Sequence, residues 1–331
     1  MINTVYRLVA PRRFEIAFED INLFGENAIV RPTYLSICNA DMRYYLGTRD
    51  AKVLAEKLPM ALIHEGVGEV FLDPTGTFKT GDKVVMVPNA PVEKDEFIAE
   101  NYLRSSKFCG SSMDGFLQEF VEISPKRLVK LPDYIDMTVA AFTEIVSVSV
   151  HAISRFDKIA HARRNTISVW GDGNLGYITS LFLKYHFPKS KIVVFGTSSD
   201  KLADFTFADE THLVNEVPDG FTTDHAFECV GGNGSPIAIE QIIGLIKPEG
   251  TISILGVSEY PVPINTRMIL EKGLRVFGSS RSGVKDFAKT VDMYKKHPEI
   301  IDYLGNLINS VNVVRTTTDI KNAFEDRKSV V

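Results

Sequence analysis

An apolar run, Thr166 to Trp170, leads directly into Gly171-Asp172-Gly173-Asn174-Leu175-Gly176, and the chain leaves that turn in an apolar stretch of helical period, Leu175 to Tyr185. A strand, a glycine turn of this spacing and a helix, in that order, severely limit what the chain can fold into. Gly171 permits the tight turn, Gly173 lets backbone approach an anion, and Gly176 lets helix and strand pack closely. The opening of the helix, from Asn174 and Leu175 onward, supplies amide donors without intrahelical partners, which suits a dinucleotide pyrophosphate. Further strand-like runs follow at Lys191 to Phe195, His225 to Cys229 and Gly250 to Leu255. Strands alternating with helices build a doubly wound parallel sheet.

The end of the second of these strands bears on the nucleotide. A sheet that binds NAD places a carboxylate there for the ribose 2′-hydroxyl. This chain has Gly196-Thr197-Ser198-Ser199 and then Lys201. Hydroxyls and a lysine accommodate a 2′-phosphate, so NADPH/NADP is favoured over the unphosphorylated cofactor. The alternative is a plain turn of small residues with Asp200 as the acidic partner.

Residues 1 to about 140 have a different texture, with short β-rich pieces punctuated by Gly and Pro: Ala28 to Arg31, Gly66 to Leu72, Asp82 to Val87, Gly115 to Val121 and Leu128 to Leu131. This pattern predicts a compact, partly open β-barrel, making the whole an α/β protein. An apolar helix is expected over Ala140 to Ile153, a solvated charged loop or helix start at Val92 to Glu96, and a final strand at Lys328 to Val331. A length of 331 residues agrees with two domains.

A net charge of -5 and a pI near 5.9 leave no basic footprint for nucleic acid. No apolar run approaches the length of a membrane span, and Met1 to Arg7 lack a signal-peptide core, so a cytoplasmic location is expected. The cysteines, Cys38, Cys109 and Cys229, lie too far apart in sequence for a disulfide framework.

Cys38, His64, Glu65 and Glu144 offer a thiolate, an imidazole and two carboxylates, donor types that can close around one Zn²⁺. Singly, each has a plainer reading: a small buried cysteine, a structural histidine, a solvated helix glutamate. Together with the glycine turn they point to metal-assisted hydride transfer.

Their surroundings carry a resemblance. Ser36-Ile37-Cys38-Asn39-Ala40-Asp41, Ile63-His64-Glu65-Gly66-Val67-Gly68 and Thr143-Glu144-Ile145-Val146-Ser147-Val148 resemble metal-ligand segments of zinc-dependent medium-chain alcohol and polyol dehydrogenases. Longer strings are similar to the ribulose-5-phosphate reductases of ribitol-phosphate teichoic-acid synthesis: Leu62 to Val70, Trp170 to Thr179, His225 to Gly232 and Gly278 to Gly283. The resemblance implies a GroES-like catalytic domain over 1–140, a Rossmann domain over 141–277 and a return segment over 278–331. It also implies NADPH-linked, zinc-dependent reduction of D-ribulose 5-phosphate to D-ribitol 5-phosphate. A ribitol-5-phosphate cytidylyltransferase is the implied partner, and a homodimer or homotetramer the implied assembly. The readings left open are a dehydrogenase of unphosphorylated polyols, a zinc-free enone reductase and a non-catalytic NADPH-binding protein.

Departures from the wider family sharpen the expectation. The stretch from Asn101 to Gly115 contains only Cys109, so a four-cysteine structural zinc is not expected and one catalytic zinc is. Ala40 and Arg43 stand where the family's proton relay has a hydroxyl residue and a histidine. A metal-bound water, Glu144 or Tyr44 must then supply the proton, the water with Glu144 as its acid–base partner being preferred. Ile63 replaces the glycine usual before the histidine ligand, which is expected to alter packing more than chemistry. Asp41 is a candidate to orient a ligand, and Tyr44 aligns with a residue lining the polyol site. For the substrate phosphate, Arg281 is the first candidate and Arg49 the second, with Arg43 and Lys52 nearby in sequence to the latter.

Overall fold

Ala28–Ser36 is the spine of the first unit, and its burial alternates only in the middle because both ends are covered. It pairs antiparallel with Glu65–Leu72 from Ile29↔Leu72 to Ser36↔Glu65, a register that sets Glu65 beside the end of the spine. Lys83–Met86 and Leu128–Lys130 extend the sheet on one side and Ser329–Val330 and Ser310–Val311 on the other, giving a curled half-barrel that is antiparallel except for the pairing of these last two strands. The computed structural model describes residues 1–326 and the backbone of 329–330. The ends of the expected last strand, Lys328 and Val331, lie outside the described residues.

The chain divides into two units, Met1–Ser147 with Ser282–Val331, and Val148–Arg281. The first has a core of Val5, Leu8, Val30, Tyr45, Val84 and Phe116, among others. Phe324, from the helix Thr317–Glu325, packs on Tyr45 with ring centroids 4.9 Å apart, fastening the returning segment to the N-terminal one. Glu100 does the same with polar bonds. It pairs with Arg127 through both carboxylate oxygens, at 2.7 and 2.8 Å, and accepts the Val284 amide at 2.8 Å.

Three local expectations need correction. The reading of strands began at Ala28, whereas Ile2–Ala10 and Arg13–Asp20 form a hairpin ahead of it. Its turn uses Arg12 at φ 62°, so the glycine signal of a tight hairpin is missing from the sequence. The strand expected over Gly115 to Val121 is instead Val121–Ile123. The preceding amides of Gly115, Phe116 and Leu117 go to the carbonyls of Ala61, Ile63 and Leu62, an irregular order that builds no ladder. The single helix expected over Ala140 to Ile153 is two, Met137–Ala140 and Thr143–Ile159. Thr143 Oγ1 donates to the Ala140 carbonyl at 2.6 Å and competes with helix continuation at the joint.

The second unit holds a six-stranded parallel sheet. Numbered by their order along the chain within this sheet, its strands lie 3-2-1-4-5-6, the doubly wound arrangement. Thr166–Trp170 and Lys191–Gly196 are its two central strands on one side of the switch point, and Ile192, Val193, Val194 and Phe195 are fully buried. Continuous apolar strands are the mark of a parallel sheet covered on both faces. Glu210–Leu213 and Arg275–Gly278 went unread because these short edge strands are partly exposed and carry no apolar run. Val92 to Glu96 is an exposed loop, as expected. Among the described residues no helix is long and apolar enough to cross a membrane.

Candidate active site

Cys38 ends the spine strand's approach to a short helix, Asn39–Tyr45, for which it is the N-cap. Asp41, three residues on, turns back and accepts the Cys38 amide at 3.1 Å and the thiol at 3.0 Å on Oδ2. Its Oδ1 accepts the Ile63 amide at 2.9 Å, so one carboxylate, itself 1% exposed, ties the cysteine turn to the residue before His64. His64 then presents Nε2 to Cys38 Sγ at 3.5 Å, with its Nδ1 3.9 Å from Asp41 Oδ1. Glu65 opens its strand and is 3% exposed.

The ligand atoms of Cys38, His64 and Glu65 all lie within 4.8 Å of one another. Tetrahedral sulfur and nitrogen ligands of one Zn²⁺ stand about 3.6 Å apart, taking Zn–S near ~2.3 Å and Zn–N near ~2.0–2.1 Å. The observed Cys38–His64 separation matches that edge. The charged neighbours that shift Cys38 and Glu65 are all carboxylates, so the cluster is short of positive charge. Burial, then Asp41 and Glu65, push the Cys38 thiol well above its ordinary range. Burial, then Glu144, push the Glu65 carboxyl well up as well, against a hydrogen bond from Ser36. A soft-and-hard donor set that cannot comfortably ionise on its own fits a divalent cation.

Glu144 sits in the first turn of Thr143–Ile159, buried and close enough for its charge to act on Glu65, but outside the three-residue cluster. Tyr44 is buried on the helix that follows Cys38, and the Arg49 guanidinium stacks over its ring at 4.7 Å. Arg43 is half-buried on the same helix, and Lys52 is exposed on Ala51–Lys57. Arg281 closes the second unit at φ 58°.

In the second unit the glycine turn is built as its spacing predicts. At Gly171, φ is 132° and a Cβ would meet the Cys229 carbonyl at 2.9 Å; at Gly176 it would lie 1.9 Å from the Gly171 carbonyl oxygen. Gly173 is the N-cap of Asn174–His186, and a Cβ there would meet nothing within 4 Å, leaving room above the free amides of the helix. Leu175 is half-buried behind exposed Asn174. Thr197 and Lys201 are exposed, and Ser198 caps the turn Ser199–Leu202.

Sequence reasoning passed over two residues here. Asp172, at a variable position of the turn, reaches the loop after the second strand and accepts from the Thr197 and Ser198 amides. Burial raises its pKa, but these bonds and the Thr197 hydroxyl outweigh it and hold the carboxyl below its usual range. Glu228, fully buried, accepts the amides of Val230, Gly231 and Gly256 and so shapes the loop after its own strand, Thr223–Glu228, and the loop after Ile246–Ile254. No local signal marks either residue, since each also acts on backbone distant in sequence, Asp172 on Thr197 and Ser198 and Glu228 on Gly256.

Two family models match: residues 25–133 fit the alcohol dehydrogenase GroES-like domain and residues 188–296 the zinc-binding dehydrogenase domain. The chain is 55% identical over 325 residues to ribulose-5-phosphate reductase from Bacillus spizizenii, covering 98% of this chain and 95% of the relative. Ribulose-5-phosphate reductase 1 of Staphylococcus aureus matches at the same identity and coverage. This chain belongs to the ribulose-5-phosphate reductase family of zinc-binding dehydrogenases. The crystal structure of S. aureus TarJ in complex with NADPH is similar with a TM-score of 0.89 and 50% identity, covering 98% of this chain and 95% of that one. Within this family, the half-barrel that carries Cys38, His64 and Glu65 is the GroES-like part, and the parallel sheet with the glycine turn is the Rossmann part.

Proposed function

We propose that this chain reduces D-ribulose 5-phosphate to D-ribitol 5-phosphate, using NADPH and a single Zn²⁺. The observation that carries the reading is the Cys38–His64–Glu65 cluster in a chain 55% identical, end to end, to ribulose-5-phosphate reductases. When bound, NADPH would supply the hydride for the C2 carbonyl carbon and Zn²⁺ the Lewis-acid stabilisation of the charge that develops on the carbonyl oxygen.

Cys38 and His64 are the firm ligands, because Asp41 fixes the Cys38 backbone and that of Ile63, the residue before His64. Glu65 and Glu144 are the exchangeable carboxylates. The Glu144 charge reaches Glu65 and, after burial, raises its carboxyl; Glu144 is the acid–base group that would pass a proton toward the carbonyl oxygen. The hydride and this proton complete the secondary alcohol, and NADP⁺ leaves. The amides after Gly173 hold the pyrophosphate. Arg281 is the first choice for the substrate phosphate. Arg49, oriented by its stack on Tyr44, is the second.

The enzyme is further proposed to act in the cytoplasm as a homo-oligomer and to hand its product to a cytidylyltransferase. The test is NADPH oxidation by zinc-loaded protein with D-ribulose 5-phosphate, beside unphosphorylated D-ribulose, before and after chelation. Turnover confined to the phosphorylated ketose and lost on chelation is expected. Equal rates with both sugars would replace this reading with a general polyol dehydrogenase.

A further inference from the structure

The Asp172 carboxylate lies where a doubly wound sheet receives the adenosine ribose, at the end of the second strand, although it comes from the glycine turn. A carboxylate at that place ordinarily accepts from the ribose 2′-hydroxyl and repels a 2′-phosphate. Here the charge is engaged by protein. Oδ2 accepts the Thr197 amide at 2.6 Å, the Thr197 hydroxyl at 3.0 Å and the Ser198 amide at 2.9 Å. Ser198 Oγ accepts the Lys201 amide at 3.4 Å, and Lys201 Nζ stands 4.0 Å from Asp172 Oδ1.

Gly196 makes the arrangement possible. A Cβ there would come within 2.7 Å of Asp172 Cβ and 3.0 Å of its Oδ2, so the absent side chain at the strand end is the space the aspartate occupies. The donors Thr197 would offer a ligand are turned onto Asp172. Lys201 and the hydroxyls of Ser198 and Ser199 remain at the surface of the same loop.

We propose that Asp172 is the positioning residue for cofactor choice: it folds the 197–201 loop so that Lys201, Ser198 and Ser199 face a 2′-phosphate. The inference rests on the NADPH reading above and goes further by assigning the selectivity to a residue outside the loop itself. A carboxylate that would exclude NADP(H) in a bare site here organises the groups that receive it.

The test is calorimetric binding of 2′,5′-ADP and of 5′-AMP, which differs from it only in lacking the 2′-phosphate, to the full chain, with no turnover required. Charge-assisted bonds of the kind Lys201 can make predict that wild-type protein binds 2′,5′-ADP about tenfold or more tighter than 5′-AMP. Asp172→Asn should bring that ratio toward one by weakening 2′,5′-ADP, with 5′-AMP changed by less than about threefold. Asp172→Glu, which keeps the charge but displaces the loop, should do the same, and Lys201→Ala should lower the ratio without disturbing the Asp172 bonds. Tighter 2′,5′-ADP binding by Asp172→Asn would overturn the proposal, because the aspartate would then be a repelling charge. Loss of both ligands in both Asp172 variants would also overturn it, since the residue would then hold the turn and not the selectivity. No wild-type preference for 2′,5′-ADP would overturn the NADPH reading itself, whereas a preference that survives in the Asp172 variants would overturn only this inference.

Discussion

The Ile63 amide donates to Asp41 Oδ1 at 2.9 Å, and this bond, with the one from the Cys38 amide to the other oxygen, makes Asp41 the common support of two segments 22 residues apart. Cys38 and His64 therefore meet because a third side chain holds the backbone of the one and of the residue before the other.

Asp41→Asn keeps the shape but points an amide group at one of those N–H donors. Loss of an outer-sphere partner of this kind should weaken zinc binding about 10- to 100-fold. Chelator competition measures it, with binding of ADP as a control for an intact glycine turn. Unchanged zinc affinity would remove Asp41 from the support of the site.

Metal binding should depend steeply on pH. The Cys38 thiol and the Glu65 carboxyl are both pushed up in the metal-free chain, first by burial, so both keep their protons to higher pH than usual and must lose them to bind a cation. Affinity should then rise with pH by about tenfold per unit for each proton released. Competition titrations at several pH values between mildly acid and mildly alkaline, with proton release followed in parallel, test it. A flat profile would contradict the protonation states argued here.

Ile63 is fully buried yet sits at φ 70°, a conformation costly for a β-branched residue. Truncating a buried isoleucine costs about 2–5 kcal/mol, more than the roughly 1–3 kcal/mol of strain released, so Ile63→Gly should be less stable than wild type. Ile63→Ala retains the strained backbone, and should fall below Ile63→Gly by about 1 kcal/mol, the reverse of the usual order of these residues. Denaturant unfolding of the three proteins decides it.

Glu100 links the return segment to the barrel through Arg127 and the Val284 amide. Burial raises its pKa, but those two partners outweigh it and hold the carboxyl below its usual range. A depressed folded pKa contributes stability above the unfolded value, near ~4.3, and that contribution is lost as pH falls through the folded value. Glu100→Gln should cost about 1–3 kcal/mol at neutral pH, and the difference from wild type should shrink in acid. A difference independent of pH would mean that the ion pair contributes little.

Much of this protein was legible in its residues because the informative patterns are local. The Thr166–Trp170 strand, the glycine turn and the apolar run Ile192 to Phe195 of the Lys191–Gly196 strand announce themselves through short-range sterics and burial on both faces of a sheet. Cys38, His64, Glu65 and Glu144 were identifiable as donor types, and the resemblance of their flanking segments gave them a common purpose. The hairpin at Arg12, the break at Thr143 and the irregular run before Val121 were not legible. In each, a hydrogen bond or a left-handed residue set by tertiary context replaced the expected local signal. Only the folded chain decided that Asp41 would clasp both ligand segments, that Glu144 would act on Glu65 without joining the close cluster, and that Asp172 would cross to the end of the neighbouring strand. The physical reason is common to all three: each carboxylate has at least one partner, a backbone amide or a charge, far away in sequence, and nothing in the one-dimensional pattern specifies which of them folding will bring within reach.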